Sequence, residues 1–314
     1  MGNKIATREA YGKALVKLSN LNNDVVVLDA DLSKSTKTAE FKAVSPERFI
    51  NMGIAEANMM GVAAGLSTCG KIPFASTFAM FAAGRAFEQI RNSICYPKLN
   101  VKICATHAGL TVGEDGATHQ SIEDISLMRS IPNMTVINPA DAVETEAAIL
   151  AIAEYKGPCY VRLGRLAVST INDAESYKFE IGKGITLSEG NDVTIVATGM
   201  MVELALEAKE VLSKDGINAR VINIHTIKPI DKELLVKAAK ETKAIVTAEE
   251  HSIIGGLGSA VAEVTAEECP VPVLKVGIKD TFGESGKPNE LLKAYGLTAE
   301  AIVEHSKKAI SLKK

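Results

Sequence analysis

Aromatic side chains are scarce in this 314-residue sequence, at 4% of positions, and no block of basic residues runs through it. With a net charge of only −3, the chain lacks the basic stripe that tracking a phosphate backbone requires, which argues against a nucleic-acid partner. No apolar run is long enough to span a bilayer. The five cysteines, Cys69, Cys95, Cys104, Cys159 and Cys269, are odd in number, scattered and without a C-x-x-C pair. That pattern speaks for a reducing compartment and against a metal knuckle. The opening stretch MGNKIATREAYG carries charge and no apolar core, so it does not read as a secretory leader. Ala6 also stands where a myristoylation signal needs Ser or Thr. These absences point to a cytoplasmic globular protein with no membrane contact. Its 46% hydrophobic and 23% charged residues are ordinary for that class, and its length suggests two domains.

What is present is alternation. Strands are predicted at VVVLDAD (25–31), RFINM (48–52), KIPFAS (71–76), VKICATH (101–107), MTVINP (134–139) and CYVRLG (159–164). Helical patterns near 5–20, 54–68, 78–94, 119–130 and 141–155 lie between them. Apolar runs separated by helices imply βαβ units and a parallel sheet covered on both faces. Residues 166–190 are polar and break the rhythm, so they read as a linker. Alternation then resumes with DVTIVATG, a helix at 201–213, ARVINIHTI as one strand, a helix after Pro229, AIVTAEE, a helix at 257–268, VPVLKVGI and two terminal helices. The fold class is α/β, with two doubly wound domains at 1–175 and 176–314, the second smaller. Ligands of such sheets bind at the carboxyl ends of strands, so motifs just after each strand carry the functional reading.

One such motif is GIAEANMMGVAAGL, a helix packed with Ala, Met, Gly and Val and headed by Glu56. A helix apolar nearly all round is a buried helix. Taken alone, an acid in a first turn is explained by the helix dipole. A buried carboxylate, however, needs a partner or becomes protonated, and a ring nitrogen of a bound cofactor is one candidate. After the third strand, TFAMFAAGRAFEQIRNSI puts Phe78 and Phe81 about one helical turn apart. Such a pair is commonly core. At the ligand edge, beside an acid, it can instead hold a flat heterocycle.

These segments, with ATHAGLTVGEDGATHQSIEDISLMRSIPNMTVINPAD, resemble the pyrimidine-binding domain of transketolase, and DVTIVATG and TFGESG resemble that enzyme's C-terminal domain. VGEDGATHQ…RSIPN is a signature of the transketolase and deoxyxylulose-phosphate synthase group. Transketolases carry an earlier domain that binds thiamine diphosphate through Mg²⁺, using Gly-Asp-Gly and a downstream Asn. No Gly-Asp-Gly occurs here. The chain therefore resembles the C-terminal subunit of a split transketolase, with the diphosphate half and the Mg²⁺ ligands expected on a separate N-terminal subunit. The resemblance also implies a self-dimer within an α2β2 assembly.

It further implies residue roles. Glu56 corresponds to the glutamate that hydrogen-bonds the aminopyrimidine, and Phe78 and Phe81 to its aromatic wall. Asp31 and Ile54 correspond to positions lining the cofactor. Many relatives have a further aromatic where this chain has Gly84. His107, Asp115 and His119 correspond to residues that handle the substrate, and Arg8, Ser35, His107 and Arg165 to the sugar-phosphate pocket. Arg offers a planar fork to phosphate. Two histidines and an acid within thirteen residues can also suggest zinc, but the spacing matches no standard site. In the second domain, HSIIGGLGSAV fails the dinucleotide pattern at Val261 and reads as a helix start, with no catalytic residue assigned there. Ketol transfer between sugar phosphates is the leading function. The alternatives are a split enzyme for branched or sulfonated sugars, a 2-oxoacid dehydrogenase β-subunit, a deoxyxylulose-phosphate synthase and a non-catalytic module.

Overall fold

The computed structural model describes residues 4–313. In chain order the first half runs β1 (Lys4–Ala6), α1 (Thr7–Leu21), β2 (Val25–Asp29), α2 (Ser33–Thr36), α3 (Thr38–Val44), β3 (Phe49–Asn51), α4 (Glu56–Thr68), β4 (Ile72–Phe78), α5 (Phe87–Gln89), β5 (Lys102–Thr106), α6 (Asp124–Ser130), β6 (Thr135–Ile137), α7 (Ala142–Glu154), β7 (Cys159–Arg162) and β8 (Ala167–Ser169). The second half runs β9 (Ile185–Ser188), β10 (Val193–Ala197), α8 (Met201–Lys214), β11 (Ala219–Asn223), β12 (Thr226–Lys228), α9 (Lys232–Thr242), β13 (Ile245–Ser252), α10 (Leu257–Glu268), β14 (Val273–Ile278), α11 (Pro288–Ala294) and α12 (Ala299–Ser311). Two sheets organise these elements. The larger has the order β12-β6-β7-β5-β4-β2-β3, and the smaller β14-β13-β10-β11-β9. All neighbours are parallel except β12 on β6 and β9 on β11. Strands such as Val25–Asp29 are buried along their whole length, because helices cover both faces of the sheet.

The apolar run ARVINIHTI is not one strand. It divides at Ile224 and His225, so that β11 pairs with β10 in the smaller sheet while β12 adds an antiparallel edge to the larger. The second domain thus completes the first domain's sheet. One buried cluster runs from Leu28 and Ala75 through Ile125 and Val136 to Ile227, Leu235 and Val261. A continuous apolar core of this kind holds the two domains together by burial rather than by a tether.

Residues 166–190 likewise differ from a free linker. They contain β8, which pairs with β1, and β9. The Asp141 carboxylate accepts from the Ile171 and Asn172 amides at 2.8 Å each, and Tyr177 donates to the buried Glu144 carboxylate. Burial pushes the Glu144 carboxyl up to about 7. These strands escaped notice because they are only three and four residues long within an otherwise polar stretch.

Two helices are also shorter or less buried than the sequence predicts. The pattern at 119–130 becomes helical only from Asp124, since Gln120 and Ser121 are committed to other contacts. Helix α4 buries Met59, Met60, Ala63 and Ala64 but leaves Asn58, Gly61, Gly65 and Thr68 exposed. Its small residues made every face look apolar, yet only one side packs against the sheet.

Between the domains lies a buried polar knot. Arg162, at the end of β7, donates Nε to both Asp124 oxygens at 3.2 and 2.9 Å, and Nη2 to the Glu250 carbonyl at 2.9 Å. Tyr160 donates to Asp124 at 2.8 Å. Glu250, on β13, accepts from the Thr111 amide at 2.7 Å. Its neighbour Glu249 accepts from the Leu257 and Gly258 amides at 2.6 and 2.8 Å. The first turn of α10 is thus filled from within by a carboxylate, as its dipole favours, and this is the helix start expected of the glycine-rich turn.

Candidate functional site at the carboxyl edge of the larger sheet

The sequence-predicted residues converge along one sheet edge. Asp31 follows β2, Ile54 and Glu56 follow β3, and Phe78 ends β4 with Phe81 just beyond it. His107 follows β5, Arg165 follows β7, and Arg8 opens α1. Because β7, β5, β4, β2 and β3 are adjacent in that order, residues far apart in sequence become neighbours at the strand ends where α/β ligands sit.

Glu56 is 2% exposed. Its carboxylate has a partner that the sequence did not suggest: Arg85 Nη1 donates to both oxygens at 3.0 Å. The Arg85 guanidinium lies 4.6 Å from the Phe81 ring centroid, and its side chain is about half exposed. A π-helical stretch, Met80–Arg85, makes this arrangement. Such turns are rare and occur often at functional sites. Phe78 and Phe81 stack with centroids 5.9 Å apart. At Gly84 a Cβ would come within 2.4 Å of Met80 Cε, so a third aromatic there would have to displace the flexible end of the Met80 side chain. Arg85, four residues after Phe81, completes the wall instead. The only sequence signal for it was that spacing.

His107 stacks on Phe78 at 3.9 Å. It has φ +57°, and Asp31 has φ +65°. Non-glycine residues in this region are uncommon and mark functional sites disproportionately. Arg8 Nη1 lies 3.2 Å from His107 Nε2 and donates to the Ser35 carbonyl at 2.9 Å. Arginine can only donate, so His107 Nε2 accepts and Nδ1 carries the proton toward Thr106 Oγ1 at 2.9 Å. The ring is therefore a neutral acceptor that orients Arg8. Burial, then Arg8, Arg165 and His119, holds its pKa down at about 3. We expect the His107 ring signals in an NMR titration to stay unprotonated from pH 8 to pH 5. In the unfolded chain the same ring takes its proton near 6.5, so this residue withdraws stability as pH falls from about 6.5 toward 3. A midpoint near 6.5 in the folded chain would contradict the geometry.

His119 faces the Phe81 ring edge-on at 5.3 Å and bonds Thr118 Oγ1 through Nδ1 at 2.9 Å. Asp115 is exposed on the same loop. Arg165 donates to the Val112 carbonyl and pairs with Glu114 at 3.2 Å. Arg8 Nε is buried and has no hydrogen-bond partner, a donor available to an anion. Asp31 is exposed and held by the Asn51 side chain at 2.9 Å. Ile54, which follows β3, is 79% exposed. Among the described residues no three or more of His, Cys, Asp and Glu are grouped so as to hold a metal ion.

The fold and this cluster match known proteins. The transketolase pyrimidine-binding domain model matches residues 3–170, and the transketolase C-terminal domain model matches residues 182–302. The chain belongs to the transketolase family. A Methanocaldococcus jannaschii protein named "Putative transketolase C-terminal section" is 56% identical, over 95% of this chain and 94% of its own length. A 6-deoxy-6-sulfo-D-fructose transketolase subunit from a Clostridium species is 47% identical, over 94% of this chain and 92% of its own length. A solved split-gene transketolase, described as an inactive β4 tetramer, superposes with a TM-score of 0.93 at 63% identity, covering 99% of this chain and all of that one. Human transketolase is 39% identical over 97% of this chain, but only 49% of its own length is matched. Within the family this chain is a transketolase C-terminal section of the split, two-chain kind.

Proposed function

We propose that this chain, with a separate N-terminal subunit, transfers a two-carbon ketol group from a ketose phosphate such as xylulose 5-phosphate to an aldose phosphate. The observation that carries the reading is the Glu56 carboxylate, buried at a strand end beside two stacked phenylalanines. A buried acid whose partner Arg85 lies over the Phe81 ring offers the carboxylate and the apolar face a thiamine aminopyrimidine needs. When bound, thiamine diphosphate supplies the carbanion chemistry that breaks and remakes the C–C bond. Glu56 then holds the proton at the pyrimidine ring nitrogen, Phe78 and Phe81 pack the ring, and Asp31 and Ile54 line its rim. Arg8 and Arg165 bind the sugar phosphate with Ser35 beside them, and Asp115 and His119 orient the sugar hydroxyls.

Asp31, Ile54 and Arg85 leave the rim open, which suits a site closed by another chain. We place the diphosphate and Mg²⁺ ligands on that N-terminal subunit, in an α2β2 assembly built on a dimer of this chain. We place the boundary between its own two domains near residue 175, and the enzyme in the cytoplasm, acting on pentose phosphate sugars. Among the described residues no helix is long and apolar enough to cross a membrane, and all five cysteines are free. A second sugar class has support of its own, since relatives are named for sulfofructose and for apulose 4-phosphate. Sulfonate and phosphate oxygens suit the same arginines.

The test is a mixing experiment with Mg²⁺ and thiamine diphosphate. Activity from xylulose 5-phosphate to ribose 5-phosphate only when both subunits are present supports the reading. A complex that binds the cofactor but transfers only from a sulfonated or other ketose moves the substrate. Absence of cofactor binding overturns the proposal.

A further inference from the structure

The loop that carries Asp115 and His119 is held from the second domain. It leaves the sheet at Ala108 and returns at Ser121, where the Gly109 amide donates to the Ser121 carbonyl at 2.8 Å. Between those points its inward side meets residues of the second half of the chain. Glu250 accepts from the Thr111 amide, Ser285 donates to the Glu114 carbonyl, and Pro288 lies 3.2 Å from where a Gly113 Cβ would be. At the centre is Gln120, which is 3% exposed. Its amide nitrogen donates to the Leu110, Gly113 and Glu284 carbonyls at 3.2, 3.3 and 2.9 Å. Three surrounding acceptors fix which way the amide points. Its oxygen is buried without a hydrogen-bond partner. It faces Gly283 so closely that a Cβ there would sit 1.9 Å from it. An amide with an unsatisfied buried oxygen is an expensive choice for simple packing.

We propose that Gln120 and the 281–286 loop, TFGESG, form a positioning device for substrate: the second domain sets where Asp115 and His119 stand. This gives the C-terminal domain, to which the sequence assigned no part in the chemistry, a role in substrate geometry. The inference rests on the reading of Asp115 and His119 as substrate-handling residues, and Gln120 acts through them without touching substrate. Gln120 ties both ends of the loop to the Glu284 carbonyl, and Gly283 supplies the clearance that lets it do so.

Gln120→Glu keeps the size of the side chain but turns a donor into a carboxylate facing three carbonyls. In the free chain we expect hydrogen exchange at residues 110–119 to accelerate at least about tenfold, with α8 and α12 unchanged. In the reconstituted enzyme we expect KM for the ketose phosphate to rise about tenfold or more, with thiamine diphosphate affinity within about twofold. Gly283→Ala, pressing on Gln120 from the opposite side, should reproduce both changes. If Gln120→Glu fails to fold, the neutral Gln120→Met is read in its place. Unchanged exchange with unchanged KM overturns the proposal. So does a uniform loss of protection along the chain, which is what a merely structural residue would cause. A wild-type complex without ketol transfer would instead overturn the proposed function, while the exchange pattern would still decide the inference.

Discussion

Replacing Glu56 by Gln is expected to lower kcat for ketol transfer by on the order of 10³-fold in the reconstituted two-subunit enzyme. The substitution preserves shape and leaves one oxygen to accept from Arg85, which now donates to both at 3.0 Å. The fold and the aromatic stack should therefore survive. On the proposed reading, what is lost is a carboxylate that would hold a proton at the pyrimidine ring nitrogen. The measurement is steady-state turnover beside a calorimetric titration of thiamine diphosphate. Turnover should collapse while binding weakens far less. Wild-type turnover in the Gln variant would remove Glu56 from the chemistry and return it to the dipole explanation.

Asp124→Ala should have the largest effect on stability, about 3–5 kcal/mol. Both members of its ion pair are buried, with Asp124 0% and Arg162 4% exposed. Removing the acid strands a guanidinium away from water and frees the Tyr160 hydroxyl from its acceptor. Arg162 also donates to the Glu250 carbonyl, so the damage reaches the contact between the domains. Urea unfolding should show a lower midpoint, and Asp124→Ala combined with Arg162→Met should recover part of the loss, because the guanidinium is then no longer stranded, although the buried Glu250 carboxyl loses its cation and keeps only the Thr111 amide. A loss under about 1 kcal/mol would mean that water reaches Arg162 in place of its partner.

Much of this architecture is legible in the chain itself, for specific reasons. VVVLD and KICAT are mostly apolar because both faces of their sheet are covered, and the structure buries every residue of both, Asp29 and Lys102 included. Glu56 stood out because an acid at the head of a helix of Ala, Met and Gly has few explanations. The linker was misread because β8 and β9 are only three and four residues long within a polar stretch, and ARVINIHTI because an apolar run carries no mark where it changes sheets. Arg85 went unnoticed because, in a regular helix, a charged residue four positions from an aromatic is unremarkable.

Local pattern determined the α/β class, the two domains and the strand-end residues, since burial on both faces and turn chemistry act over a few residues at a time. The tertiary structure decided which residues meet. The Arg85 pair with Glu56 depends on a π-helical stretch. The neutral state of His107 depends first on its burial at the sheet edge, then on Arg8, 99 positions earlier. The seat of Gln120 depends on a loop 164 residues later. Such long-range contacts follow from how strands are ordered in a sheet and how two domains share a core, and no window of sequence contains both partners.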